Sequence, residues 1–231
     1  MKEQFSRTAM LLGEEAVGRL NAAHVAVFGL GGVGGYALEA LARAGVGAFT
    51  LCDNDVVSES NINRQILALH STVGLAKTKA AALRLKDINP EIQIKERPTF
   101  FLPETAGEFD FSAYDYVVDC VDTLAAKLEI YRCAKAAGVP VISAMGAGNK
   151  LDATAFRVAD IEKTEGCALA RAVRNACRKA GIRGIKVVYS PETPTGAVIA
   201  ENGRHAPGSL SYVPSVMGLL MAGEVIKDLS K

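Results

Sequence analysis

Residues 27–47 read VFGLGGVGGYALEALARAGVG. Val27 and Phe28 close an apolar run, Gly29, Gly31, Gly32 and Gly34 follow, and a helical pattern begins behind them. Glycines at a strand-to-helix turn let backbone amides approach a phosphate, and the helix N-terminus adds a favourable field. The spacing serves a dinucleotide as well as a mononucleotide. A turn kept only for close packing is the plainer alternative.

Outward from the loop, short apolar runs alternate with helical patterns. The first two dozen residues read as one helix with Leu11, Leu12, Val17 and Leu20 on its apolar side. Strands are expected at His24–Leu30, Ala48–Asp53, Ile92–Thr99, Tyr114–Cys120 and Val139–Ala144, with helices at Gly35–Ala44, Ala76–Ile88 and Leu124–Ala137. Continuous apolar strands separated by helices imply a parallel sheet covered on both faces. Beyond Gly148 the rhythm changes: strands at Phe156–Ile161 and Ile185–Ser190 flank a helix at Ala168–Ala180, and a last helix runs from Pro214 to Leu229. The expected fold is α/β, a doubly wound, mostly parallel, Rossmann-like sheet with a C-terminal α/β extension. We read residues 1–231 as a single domain, with 1–150 as nucleotide-binding core and 151–231 as substrate-binding and dimer-interface extension.

The composition is that of an ordinary globular protein: 231 residues, 49% hydrophobic, 22% charged, formal net charge +1. With so small a net charge, attraction to nucleic acid must come from a local patch. No charged-then-apolar leader precedes the fold, and the apolar stretch Tyr212–Ile226 is broken by Pro214 and Glu224. Neither a secreted nor a membrane-spanning protein is expected. Cys52, Cys120, Cys133, Cys167 and Cys177 are odd in number with no C-x-x-C pair, so they read as cytoplasmic thiols without disulfides or structural zinc.

The residues after the second strand separate the ligands. Asp53 follows Gly34 by nineteen positions, as a ribose-binding acid would. The run DNDVVSESNINRQ (53–65) then brings Asp55, Asn61, Arg64 and Gln65, and Lys77 opens the next helix. A nicotinamide carrier needs no such cations. Attack on the α-phosphorus of a nucleoside triphosphate does, because charge builds on the departing pyrophosphate. Taken alone, Arg64 or Lys77 reads equally as a solvated surface charge. In VVDCVDT (117–123), Asp119 and Asp122 stand at the strand edge where open sheets bind ligands. Asp122 either holds Mg²⁺ against the phosphates or caps the following helix.

GLGGVG, DNDVV with SNINRQ, Lys77 and DCVD in that order resemble the adenylating superfamily of ubiquitin-activating enzymes and their relatives in molybdopterin and thiamine biosynthesis. The resemblance implies ATP and Mg²⁺ as ligands. By it Gly29, Gly31 and Gly32 meet the phosphates, Asp53 takes the ribose with Asp55 and Gln65 nearby, and Asn61, Arg64 and Lys77 bind the phosphates. It makes Asp122 the Mg²⁺ ligand and Arg64, Lys77 and Asp122 catalytic. It also implies that Arg7, in FSRTAMLLGEE, reaches the neighbouring subunit's ATP site in a homodimer, although Arg7 also reads as an ordinary surface residue.

The last third, in SAMGAGNKLDATAFRVADI (143–161), ALARAVRNACRKAGIRGIKVVYSPE (168–192) and GSLSYVPSVMGLLMAGEVIKDL (208–229), resembles the tRNA threonylcarbamoyladenosine dehydratases. Ala153 replaces an expected proline. The implied reaction is ATP-dependent: AMP is transferred to the threonyl carboxylate of a modified adenosine in the anticodon loop, and ring closure releases AMP, with pyrophosphate as the other product. Ring closure is intramolecular, with effective molarities on the order of 10⁵ M or more when well oriented, so no cysteine nucleophile is needed.

A tRNA substrate calls for cations. Arg171, Arg174, Arg178, Lys179, Arg183 and Lys186 lie in a stretch without acids, and the first three share a helical face. That face is either a nucleic-acid footprint or a solvated surface. Cys167, ahead of it, is either a thioester carrier or a surface thiol. Lys150 and Asp152 either touch substrate or form a turn. A sulfur-relay protein is a candidate partner beside tRNA. The alternative function is adenylation of the C-terminus of a ubiquitin-like sulfur carrier; the basic helix and the absence of zinc pairs argue against it. A nicotinamide oxidoreductase leaves Arg64 and Lys77 unexplained.

Overall fold

The computed structural model describes residues 2–196, 198–201 and 204–231. The chain opens with α1 (Ser6–Leu12) and α2 (Glu14–Ala22), followed by β1 (His24–Phe28), α3 (Gly34–Ala44) and β2 (Ala48–Cys52). Then come α4 (Lys77–Ile88), β3 (Gln93–Arg97), β4 (Tyr116–Asp119), α5 (Leu124–Ala137) and β5 (Val141–Ala144). The last third holds β6 (Arg157–Asp160), α6 (Ala168–Lys179), β7 (Lys186–Tyr189), β8 (Val198–Glu201), β9 (Arg204–Pro207) and α7 (Tyr212–Leu229).

Seven strands form one sheet in the order β3-β2-β1-β4-β5-β7-β6. Only β6 runs antiparallel, at the edge beside β7. The expected doubly wound, mostly parallel sheet is therefore present, and its two directions of winding part between β1 and β4. Ligands of such sheets bind in the crevice at that switch point, beyond the carboxyl ends of the strands.

Alternation along β1 sends neighbours to opposite faces of the sheet. Val25 and Val27 join the core under α3, α4 and α7, whereas Ala26 and Phe28 join the core under α5 and α6. In the second core Phe28 stacks on Phe111 at 5.7 Å and meets Phe101 edge-on at 4.8 Å.

Three expectations need correction. The opening helix is two helices, because Gly13 sits at φ +88°, a region costly for L side chains. Val17 and Leu20 on α2 are buried, but Leu11 on α1 is 88% exposed. Second, β8 and β9 form a small antiparallel hairpin that hydrophobic periodicity did not indicate. Third, α7 begins at Tyr212, two residues before Pro214; proline is tolerated in a first turn, where its missing N–H has no intrahelical partner.

Glycine lets α3 and α7 close around the loop. A Cβ on Gly34 would lie 1.8 Å from the Gly29 carbonyl oxygen, and one on Gly218 of α7 would lie 2.3 Å from that of Val33. Glu39 ties α3 to α4. It accepts from Arg43 Nε at 2.7 Å and from Arg84 Nε at 2.6 Å. Burial pushes the Glu39 carboxyl upward, but the bonds from Arg84 and Arg43 outweigh it and hold the group below its ordinary value.

Two stability predictions result. Gly34→Ala destabilises the protein by about 3 kcal/mol or more in denaturant titration, because the clash is with backbone, which yields least. Glu39→Gln costs about 1 kcal/mol near neutral pH. The lowered carboxyl contributes above its unfolded value of 4.5 and loses its contribution as pH falls below that value. The difference between wild type and variant in denaturant titrations therefore shrinks as pH falls below 4.5.

Candidate functional site

The register of the central strands brings three loops to one edge. Phe28 is level with Cys52 on one side and with Asp119 on the other, so Gly29, Asp53 and Cys120 leave the sheet together. Between these loops lies a cavity of about 580 Å³, within the range that holds nucleotide-sized ligands. It is lined by Gly29, Gly31, Asp53, Asp55, Gln65, Lys77 and Asp122 among the expected residues, and also by Thr99, Phe100, Phe101 and Val121. The last four were not expected. Thr99, Phe100 and Phe101 follow β3, and Val121 lies between the two acids singled out in the 117–123 stretch.

Each residue has a local reason for its place. Gly29 adopts φ +88°, and a Cβ there would lie 2.7 Å from the Cys120 carbonyl oxygen. Around Gly31 only Gln65 Nε2 would come near an added Cβ, at 3.9 Å, so its backbone is open to the cavity. The Asp53 carboxylate accepts from the amides of Leu30 at 2.6 Å and Asp55 at 2.8 Å, locking the glycine loop to the end of β2. Gln65 is buried and its Oε1 lacks a partner among the described residues. A buried polar atom of that kind on a cavity wall fits a site completed by ligand or water.

Lys77 is the first residue of α4, and its side chain is 6% exposed. Its Nζ lies 2.8 Å from Asp55 Oδ2 and 4.0 Å from Asp53 Oδ1. A cation at a helix N-terminus opposes the helix field, and burying it is costly. Both costs are offset where an anion enters. Asp122 stands across the cavity, exposed, with Thr123 Oγ1 3.5 Å from its Oδ1. It does not cap α5: Thr123 is the N-cap, and no side chain bonds there. The carboxylate is thus available to a ligand. Mg²⁺ is commonly held by one or two carboxylates together with phosphates, and one carboxylate on the wall of a phosphate-sized cavity fits that pattern.

Three expected ligands lie elsewhere. Gly32 is packed, since its Cβ would sit 3.2 Å from Pro214 and 3.3 Å from the Arg64 carbonyl oxygen. Asn61 is buried, and its Oδ1 accepts from the Ser58 amide at 3.3 Å, closing a capping box. Arg64 bends back on its own turn, donating to the Ser60 carbonyl at 2.9 Å and to Asn63 Oδ1 at 2.8 Å. None of the three lines the cavity. Arg7 is an exposed residue of α1, away from it.

The basic stretch is only partly free. Arg171, Arg178 and Lys179 are exposed on α6. Arg174 donates to the Thr164 carbonyl at 2.7 Å and hydroxyl at 2.6 Å, and Arg183 pairs with Glu162 at 2.8 Å. Lys186 departs from the expected surface. It points under α7 to Asp228 at 2.5 Å and Glu224 at 3.5 Å, acids distant in sequence that the local charge pattern did not reveal.

The cysteines are free thiols. Cys167 is buried rather than at the surface; its Sγ accepts from the Ala170 amide at 3.5 Å. Cys52, on the cavity wall, is pushed up to about 12 by burial and by Asp53, which leaves it protonated near neutral pH. Lys150 is buried, donating to the Ser190 carbonyl at 3.3 Å and the Glu192 carbonyl at 2.6 Å. With Asn149, Thr195 and Ser209 it lines a second cavity of about 270 Å³. Asp152 accepts from Thr154 and forms a turn. Among the described residues, no helix is long and apolar enough to cross a membrane.

Comparison with known proteins gives the family. The ThiF family matches residues 5–231. The tRNA threonylcarbamoyladenosine dehydratase of Bacillus subtilis (strain 168) is 42% identical over 246 residues, covering 100% of this chain and 96% of its own length. The protein of that name from Escherichia coli (strain K12) is 37% identical over 199 residues, covering 83% and 74%. The solved structure of E. coli TcdA, a tRNA N6-threonylcarbamoyladenosine dehydratase, in complex with ATP matches with a TM-score of 0.89 and 33% identity, over 98% of this chain and 93% of that one. Its complex with AMP gives the same score and identity. With a matching family over nearly its whole length, the chain belongs to the ThiF family.

Proposed function

We propose that this chain is an ATP-dependent tRNA threonylcarbamoyladenosine dehydratase, with residues 1–231 working as one adenylating unit in the cytoplasm. Residues 1–150 form its nucleotide core, and residues 151–231 carry the tRNA and a homodimer interface. The observation that carries the nucleotide reading is Lys77, a buried ammonium at a helix N-terminus facing a glycine-loop cavity. The tRNA half is supported by the similarity to dehydratases over the full chain and by the exposed cations of α6.

In this reading the triphosphate lies along Gly29 and Gly31, and the base enters the side walled by Phe100 and Val121. Asp53 receives the ribose, with Asp55 and Gln65 beside it. Asp122 would hold Mg²⁺, which would supply neutralisation of phosphate charge there. The threonyl carboxylate displaces pyrophosphate from the α-phosphorus, forming an acyl adenylate. Lys77 stabilises the charge on the departing group. The urea group of the same side chain then attacks the activated carbonyl, AMP leaves, and the base has lost water overall. Arg64 joins the phosphates once its side chain rotates away from Ser60, and Asn61 holds the turn that carries it. Arg7 reaches the site of the second subunit.

Purified protein incubated with tRNA, ATP and Mg²⁺ converts the target nucleoside to a form lighter by one water, read by mass analysis of digested tRNA. An unchanged nucleoside contradicts the function. Lys77→Ala lowers kcat about 10²-fold or more, as removal of one transition-state donor does.

Replacing Arg171, Arg178 and Lys179 together by alanine raises KM for tRNA and leaves KM for ATP unchanged. The slope of log KM for tRNA against log salt falls by about two, on the counterion release expected for three phosphate contacts. An unchanged slope removes α6 from the tRNA surface.

A further inference from the structure

Among the described residues, the most deeply buried charges lie beneath the site. Lys127 of α5 and Asp119 at the end of β4 are both fully buried, with Nζ 2.9 Å from Oδ2. Lys127 Nζ also donates to Ser143 Oγ at 3.1 Å and to the Ala144 carbonyl at 2.8 Å. Ser143 Oγ lies 2.6 Å from Asp119 Oδ2 and 2.6 Å from the Tyr131 hydroxyl. Asp119 Oδ1 accepts from the Val121 amide at 3.1 Å.

The proton order is determined. The carboxylate can only accept, so the Ser143 hydroxyl donates to it and the Tyr131 hydroxyl donates to Ser143. All three ammonium donors of Lys127 are used. Burial pushes the Tyr131 phenol well above its ordinary value, which keeps that donor protonated. A buried ion pair is weak evidence for stability, since well-packed apolar residues often serve as well or better. What this one does is join two chain segments. Val121 begins the loop carrying Asp122 on the nucleotide cavity. Ala144 begins the loop leading to Asn149 and Lys150 on the second cavity.

We propose that Lys127 is a positioning residue: through Asp119, Ser143 and the Ala144 carbonyl it holds the nucleotide loop and the loop after β5 in fixed register, so that the activated phosphate and the acceptor meet. This rests on the function proposed above. Misplacement of about 1 Å can cost roughly 10²-fold in rate, so the register has catalytic weight although Lys127 touches no substrate.

The test uses two variants of the whole protein, Ser143→Ala and the double variant Asp119→Leu with Lys127→Met. The double variant replaces the pair by apolar residues of similar size and avoids a lone buried charge. Both are compared with wild type for thermal stability, KM for ATP, kcat on tRNA and amide exchange with and without ATP. In wild type, ATP protects residues 29–34 and also 145–150. The expected result is that folded variants keep KM for ATP within about threefold and protection at 29–34. They lose the ATP-dependent protection at 145–150, and kcat falls about tenfold for Ser143→Ala and further for the double variant. A purely structural role predicts kcat following the folded fraction. Wild-type kcat or retained protection at 145–150 in either folded variant overturns the proposal, as does wild type protected at 29–34 but not at 145–150. If wild type shows no protection at 29–34, the nucleotide reading itself fails, which is a separate outcome.

Discussion

The structure depends on how closely backbone approaches backbone around the glycine loop. Gly29 lies against the Cys120 carbonyl, Gly34 against the Gly29 carbonyl, and Gly218 of the last helix against the Val33 carbonyl. None of these positions has room for a β-carbon. The approach sets α3 directly behind β1 and draws the β4–α5 loop over the crevice. It also brings α7, eighteen residues long, onto the nucleotide core. Pro214 of α7 closes on Gly32, and Asn63 donates to the Ser209 carbonyl at 3.1 Å. The C-terminal extension is thereby attached to the segment that follows Asp53.

Two buried lysines show how the same side chain can serve different ends. Lys127 has three partners for three donors and no exposure, so it can hold backbone but meets no ligand. Lys77 has one close carboxylate, a second at 4.0 Å, and a place on the cavity wall. Among the described residues its ammonium makes one hydrogen bond, to Asp55, which leaves donors for an anion in the cavity under the function proposed above. The carboxylates divide in the same way. Asp53 and Asp119 brace loops through backbone amides, whereas among the described residues Asp122 has no bond to a backbone amide and faces the cavity.

Much of this was legible in the sequence where a local rule governs. The strand–glycine–helix passage fixed the position of Gly29, and the acid after β2 fixed that of Asp53. Lys77 was found because a helix began at it. Parallel strands buried on both faces, such as HVAVF, announced themselves by uninterrupted apolar character. What was missed depends on partners distant along the chain. Lys186 looked like part of a basic face because Glu224 and Asp228 are about forty residues away. Lys127 carries no local signal, since its burial depends on β4 and β5 meeting. Arg64 differs from these: its rotamer answers to near neighbours, Ser60 and Asn63, which the motif does not specify. The hairpin β8–β9 lacked apolar alternation, although the Asn-Gly pair at 202–203 is a common hairpin signal in sequence.

The central claim is that a carboxylate is activated by AMP transfer in the cavity between the glycine loop and Asp122. It is tested most directly with tRNA whose threonylcarbamoyl carboxylate carries oxygen-18 in both positions, incubated with the protein, ATP and Mg²⁺. Attack on the α-phosphorus followed by ring closure carries one labelled oxygen into the AMP released in each turnover, and the account predicts AMP with a single label and unlabelled pyrophosphate. Label in inorganic phosphate, or AMP without label, would contradict it.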